Sequence, residues 1–461
     1  MDQIVAPGRL SRVLKMALDD GEAATVEEAT EIFATYRLHI AIGTDVATSS
    51  TAQAALLTAV NTARRCCPGG VTICGALDVP LLVPWRDNRT LLTAVEDLGG
   101  VSVTTPVPGI PRVVLGNAPA AMADAGPFVV RATFDGWCGG VIPLEDGRRL
   151  RERDGCTPAG VLAGALAVSE AFQFLRGNPL PGRRSVGLSL WKPEPSVSWL
   201  DPADPGPTLT RLPARVWLIG LGHLGQAYLW TLGLLPYACA TEVVVVLQDD
   251  DIVSEANEST SLLTTSALVG RKKTRALAAW CEERGFTTVI DERRFGARLG
   301  VDVAEPRVAL CGVDNPAARA ALEDVGFARI IEAGLGQGTE EYLAFQVHTF
   351  PGRRSARDYW ARTTPRGLTS SAPMQPAYRD LAARGYDACG LTELAGRTVG
   401  APFVGAVTAS LVVAELLRMV LGVHRYDVID GTLRSLNGRT AVASPWPSDA
   451  FNPGLTAAAT I

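Results

Sequence analysis

The junction at residues 216–225 constrains this chain more than any other stretch. The apolar run Val216-Trp217-Leu218-Ile219 passes through Gly220-Leu221-Gly222-His223-Leu224-Gly225 into a second apolar stretch that ends near Leu235. A strand that hands over to a helix through glycines lets backbone N–H groups approach a phosphate at the positive helix end. Val243-Val244-Val245-Val246-Leu247 follows without polar alternation, which suits a parallel strand covered on both faces. The pattern continues with a helix over 271–284 and strands at 287–290, 308–312 and 329–333. It predicts a doubly wound α/β sheet.

The first half repeats this plan in worn form. Leu38-His39-Ile40-Ala41-Ile42-Gly43 resembles the opening strand, Val71-Thr72-Ile73-Cys74-Gly75 a second strand, and Arg112-Val113-Val114-Leu115-Gly116-Asn117 the later Arg307-Val308-Ala309-Leu310-Cys311-Gly312. Gly160, Glu170 and Gly177 keep the mutual spacing of Gly405, Glu415 and Gly422. In place of the glycine turn the first copy carries Gly43-Thr44-Asp45-Val46-Ala47-Thr48, so no nucleotide is expected there. The expectation is two tandem Rossmann-like domains, the first degenerate, forming a pseudo-dimer: 1–190, a proline-rich linker 191–213, and 214–461. Pro193, Pro195, Pro202, Pro205, Pro207 and Pro213 mark the linker, since proline breaks hydrogen-bonding ladders. A crossover loop at 351–388, with Pro351, Pro365, Pro373, Pro376 and seven arginines, leads into Cys389; so long an irregular stretch is usually functional or disordered.

Charge excludes some partners. Forty-three basic against 48 acidic residues leave a net charge of −5 with no basic stripe, so nucleic acid is a poor partner. The only lysines are Lys15, Lys192, Lys272 and Lys273. Nine cysteines without a C-x-x-C pair argue for reduced thiols in a cytoplasm and against zinc. The N-terminus shows no charged segment followed by an apolar run, so no secretion signal is read. The apolar stretch 400–422 contains Glu415 and Arg418, which fits a buried helix better than a membrane span. His39, His348 and His424 lack metal-ligand spacing and read as structural, as do Cys281 and Cys311.

Beyond the glycine turn the chain carries Asp249-x-Asp251-x-Val253, then Asn257, Lys273, and Asp314-Asn315 with Arg319. In this order the residues resemble the ThiF/MoeB and ubiquitin-activating (E1-like) adenylyltransferase superfamily, whose pattern runs G-x-G-x-x-G, D-x-D-x-V, N-x-x-R, a lysine thirteen residues later, then D-N-x-x-x-R. The match covers about 215–338, with further similarity at 389–422. Thr260 stands where the pattern has arginine, and His223 where a second glycine is common. A donor arginine is then expected from the first half or from a partner subunit, which marks a divergent branch. Taken singly, Asn315 before Pro316 is a helix cap and Lys273 a solvated helix residue; the ordered set carries the resemblance.

The resemblance implies ATP and Mg²⁺ as cofactors. Gly220, Gly222 and Gly225 would cradle phosphates, and Asp249 would accept the ribose hydroxyls. Asp251, Asn257 and Arg319 would complete the nucleotide site, Lys273 would follow the phosphates, and Asp314 would hold the metal. It implies activation of the C-terminal carboxylate of a ubiquitin-like protein as an acyl-adenylate, then a thioester on Cys389 and transfer to a conjugating-enzyme-like acceptor. Such layouts occur in bacterial ubiquitin-like conjugation systems, some of them antiviral, and a homodimer is compatible with them. Three other readings stay open: a sulfur-carrier or peptide adenylyltransferase, although simple sulfur-carrier activators lack the extra first half; an NAD-dependent oxidoreductase, with Asp249 on the ribose; and a non-catalytic scaffold, which Thr260 keeps open.

Overall fold

The computed structural model describes residues 10–85, 89–119, 126–360, 375–385, 391, 394–396, 398–445 and 453–459. Cys389, much of the crossover loop and Arg397 lie outside the described residues.

Alternation of short buried strands with helices yields two sheets laid out alike. The first contains β1 Leu38–Ile42, β2 Val71–Cys74, β3 Gly100–Val103, β4 Arg112–Leu115, β5 Val129–Asp135, β6 Cys138–Pro143 and β7 Val186–Ser189, in the order β3-β2-β1-β4-β5-β6-β7. After β8 Arg211–Pro213 come β9 Arg215–Ile219, β10 Val244–Gln248, β11 Thr287–Asp291, β12 Val308–Cys311, β13 Arg329–Leu335, β14 Ala344–Phe350, β15 Tyr426–Thr432 and β16 Thr440–Ala443. Their order is β11-β10-β9-β12-β13-β14-β15-β16, so the two sheets match strand for strand with β16 added. The repeat read from the sequence is therefore a repeat of topology. In both sheets the strands are parallel up to β5 and β13 and antiparallel beyond. These antiparallel extensions depart from a doubly wound pattern: β5 and β6 are joined by the two-residue turn Gly136-Trp137, whereas β7 and β15 follow the long helices Thr157–Leu175 and Pro402–Val420 and yet run antiparallel to their neighbours.

Helices Ser50–Cys66 and Thr157–Leu175 from the first half pack against each other, and helix Pro402–Val420 packs on both and on His223–Gly233. This four-helix layer joins the halves. Trp230 Nε1 donates to Thr58 Oγ1 at 2.9 Å, and the rings of Phe172 and Phe403 lie 5.5 Å apart. The equal glycine spacing has a physical reason. A methyl group on Gly160 would overlap the carbonyl oxygen of Thr51, and one on Gly405 would overlap the His223 imidazole. Each glycine thus lets a core helix cross close over the start of the helix after the first strand. Glu170 pairs with Arg184 at 2.6 Å, and buried Glu415 pairs with Arg418. Helices Thr157–Leu175 and Pro402–Val420 are long and apolar enough to cross a membrane, but they are buried within this layer.

The 191–213 stretch holds no helix or regular strand before β8, yet it is fastened down. Arg439 donates to the carbonyls of Pro193 and Glu194, and Trp137 Nε1 to that of Pro207. Strand β8 pairs with β17 Leu455–Ala457. The eight described cysteines are free, and all but Cys239 are buried. Burial pushes Cys281 and Cys311 up to about 12, as befits inert core thiols.

In the first half, the helix start that corresponds to the glycine turn already holds an anion. The Asp154 carboxylate accepts from Ser50 N at 2.7 Å, Thr51 N at 2.9 Å and both hydroxyls. A cavity of about 510 Å³ opens beside it, lined by Asp45, Asn117, Arg149 and Glu152 among others. Arg149 there is consumed by Glu152, Asp45 and Asn117. The seat a phosphate would occupy is filled by the chain's own carboxylate. Asp154→Ala should cost about 1–2 kcal/mol of stability by orphaning these donors, and Asp154→Asn less, both read as shifts in the urea midpoint.

Candidate active site

The glycine turn is built by the strand-to-helix junction. Gly220 leaves β9 with φ +82°, a conformation that favours glycine, and its N–H donates to Gln248 O at 2.9 Å. Gly222 forms the N-cap without a side-chain bond, and a side chain there would meet open space. Gly225 sits one helical turn on, where any Cβ would overlap Gly220 O. The three glycines thus divide the labour into bending, leaving room and allowing the helix under the strand. Buried Gln226 fixes the turn, with Nε2 donating to Leu221 O at 3.2 Å.

Beside the turn, strand β10 ends in the acidic run. Asp249 accepts from Leu221 N at 2.7 Å and from Asp251 N at 2.8 Å. Ile252 and Val253 then run antiparallel to residues 270–272: Val253 N donates to Arg271 O, and Ile252 bridges Lys272. That pairing brings Lys273, first residue of helix Lys273–Glu282, over the acids, with Nζ 2.7 Å from Asp251 Oδ2 and 3.6 Å from Asp249 Oδ1. The Lys273 and Asp249 side chains are 9% and 8% exposed and that of Asp251 is 68% exposed, so the cluster is held from inside and opens outward.

Asp314 follows β12 and is exposed, and among the described residues nothing bonds its carboxylate. Strand β12 pairs directly with β9, so Asp314 and the glycine turn leave the same edge of the sheet at the point where strand order reverses. Asn315 caps the short helix Pro316–Ala320, its Oδ1 accepting from Ala317 N and Ala318 N. Arg319, expected at the nucleotide, is turned inward. Its Nε donates to Val313 O at 2.7 Å and lies 3.1 Å from Glu332, and its guanidinium stacks on Trp360. Glu332 in turn bonds His348 Nδ1 at 2.8 Å, so His348 belongs to a buried cluster that braces the Asp314 loop.

Asn257 also faces its own loop, capping residue 254 through Ser254 N at 2.9 Å. Thr260 is fully buried, and its hydroxyl finds no partner among the described residues. Besides Lys273, two arginines of the first half lie near enough to His223 for their charge to be felt there. Arg12 N donates to Ser259 Oγ at 3.0 Å, and Arg65 reaches the carbonyls of Glu258, Leu262 and Thr264. Both charges act on His223, which burial first and Arg12 second depress to about 3. Sequence reasoning missed Arg12, Arg65, Asn61 and Gln226. The first three lie some 200 positions from what they touch, and no local spacing marks them.

Two outcomes are expected. Gly225→Ala should lower stability by about 2 kcal/mol or more in thermal unfolding, because the new methyl group meets backbone and not a yielding side chain. An unfolded imidazole takes its proton near 6.5, whereas folded His223 stays neutral to about 3, so stability is full above pH 6.5 and declines as pH falls from there toward 3. Denaturation midpoints at pH 7.5 and 4.5 check this, with a smaller difference in His223→Gln.

Residues 37–190 match the family model described as the BilD N-terminal domain, and residues 212–423 that of the BilD C-terminal domain. A protein of Collimonas sp. (strain OK412), described as bacterial E1-like protein BilD, is 42% identical over 441 residues, covering 95% of each chain. Among solved structures, E. coli MccB is similar with TM-score 0.32 and 10% identity over 68% of this chain and 91% of that one. PaaA is similar with TM-score 0.31 and 14% identity over 50% of this chain and 63% of that one.

Proposed function

Because the chain belongs to the BilD family of bacterial E1-like proteins, we propose that it uses ATP to activate the C-terminal carboxylate of a small ubiquitin-like protein. The observation that carries this reading is the union of the glycine turn with Asp249, Asp251 and Lys273 through bonds of 2.7 Å. A nicotinamide reading employs Asp249 but leaves Lys273 and Asp314 without work.

The triphosphate would lie over Gly220, Gly222 and the start of helix His223–Gly233, whose N–H groups point at it. Asp249 and Asp251 would take the ribose side. Lys273, released from Asp251, would follow charge as it moves from the α-phosphorus to the leaving oxygen. The exposed carboxylate of Asp314, committed to nothing else among the described residues, suits a hard cation such as Mg²⁺, which would neutralise phosphate charge when bound. The substrate carboxylate oxygen would attack the α-phosphorus, the bond to the β-phosphate would break, and pyrophosphate would leave. Cys389 would then attack the acyl carbon as a thiolate, expelling AMP, and pass the acyl group to a conjugating enzyme's thiol. We further propose a cytoplasmic, antiviral conjugation setting in a bacterium, of which the relative supports the bacterial part. Adenylation of a sulfur carrier or peptide is the second reading, favoured by the same site.

ATP–pyrophosphate exchange with the cognate small protein tests the reading. Asp314→Ala should reduce exchange by roughly 100-fold or more; normal exchange would refute the assignment. Cys389→Ser should keep exchange and lose a thiol-sensitive covalent adduct, and an adduct that survives would mean that another cysteine carries the acyl group. ATP with Mg²⁺ should raise the melting temperature where NAD does not.

A further inference from the structure

One side chain of the inactive half grips the loop that borders the active half's glycine turn. Arg65, on helix Ser50–Cys66, donates from Nη1 to Glu258 O and from Nη2 to Leu262 O at 2.8 Å and Thr264 O at 3.1 Å. Its Nε donates to Asn61 Oδ1 at 3.1 Å, and Asn61 Nδ2 donates to the same Leu262 O at 3.1 Å. The gripped loop continues the chain of contacts: Leu263 N donates to Gln226 Oε1 at 2.9 Å, and Thr264 Oγ1 bonds the same amide. Gln226 Nε2 then donates to Leu221 O inside the glycine turn. From the first half to the phosphate seat there is no gap in the series.

The electrostatics of Arg65 are unusual. It is 7% exposed, and its acceptors are three main-chain carbonyls and one amide; among the described residues no carboxylate pairs with it. The neighbouring Glu258 carboxylate lies 3.7 Å from Arg64 instead. Glu258 acts on Arg65 through its field but without a direct bond, so the buried guanidinium is held mainly by neutral acceptors. Four of its five N–H donors are consumed, so it does not fork onto a phosphate itself. What it offers is a fixed loop and a positive field felt at His223.

We propose that Arg65 is a positioning residue through which the inactive half holds the glycine turn and the 258–264 loop in their nucleotide-receiving form. The first half would then be a permanent activator of the second. This rests on the nucleotide reading above and assigns to the degenerate domain a role in that site.

The test is calorimetric titration of the full chain with ATP and Mg²⁺, together with its melting temperature. Arg65→Gln should raise Kd about tenfold and Asn61→Ala about threefold. Arg184→Gln is the control, since it severs another contact between the halves, to the carbonyls of Leu433 and Arg434, and strands buried Glu170. It should lower the melting temperature while leaving Kd unchanged. Wild-type Kd in both Arg65→Gln and Asn61→Ala would overturn the proposal, as would an equal loss in Arg184→Gln. Should Arg65→Gln not fold, Asn61→Ala decides alone. A wild-type chain that binds no ATP would overturn the nucleotide reading itself, and this inference with it.

Discussion

A helix can begin directly beneath the carboxyl end of β9 only because Gly225 has no side chain to strike Gly220 O. That contact fixes where the helix N-terminus points, and the acidic end of β10 is then tied to the turn by the Leu221 amide. The antiparallel pairing of 252–253 with 270–272 delivers Lys273 to the same place. A backbone approach thus aligns groups that are 28 and 52 positions apart in the chain by register, and their side chains add charge to a frame already set.

The two halves solve the same packing problem with the same glycine and differ in what they leave at the helix start. Gly160 and Gly405 let core helices cross closely, and buried Glu–Arg pairs stand at equivalent places farther along, Glu170 with Arg184 and Glu415 with Arg418. At the helix start one half keeps bare N–H groups with open space, and the other supplies Asp154. The first half, which has no glycine turn, therefore has no unsatisfied helix end at this place, which would be costly in a buried location.

What the sequence showed and what it hid divide along a physical line. Continuous apolar runs and glycine spacing report local constraints, so the strands around Val216, Val244 and Val308, the repeat, and the meeting of Asp249, Asp251 and Lys273 were legible. The antiparallel strands β6, β7, β14, β15 and β16 were not: the two-residue β5–β6 turn leaves no crossover signature, and the helices Thr157–Leu175 and Pro402–Val420 that precede β7 and β15 read like the crossovers of a parallel sheet. Arg319 kept its spacing while its side chain turned to Val313 and Glu332, and a motif cannot tell a residue that faces a ligand from one that braces a loop. Arg65 lay beyond reach altogether, since its partners are main-chain carbonyls whose identity leaves no mark in residue type.

The Asp154 carboxylate has a consequence for the cell. On the proposed nucleotide reading, a domain that carries its own counter-charge would offer no free helix start to a phosphate, so abundance of nucleotide would be sensed by one half of the molecule and not by the other. The chain would thereby be asymmetric in its response to fuel, although its architecture is nearly symmetric.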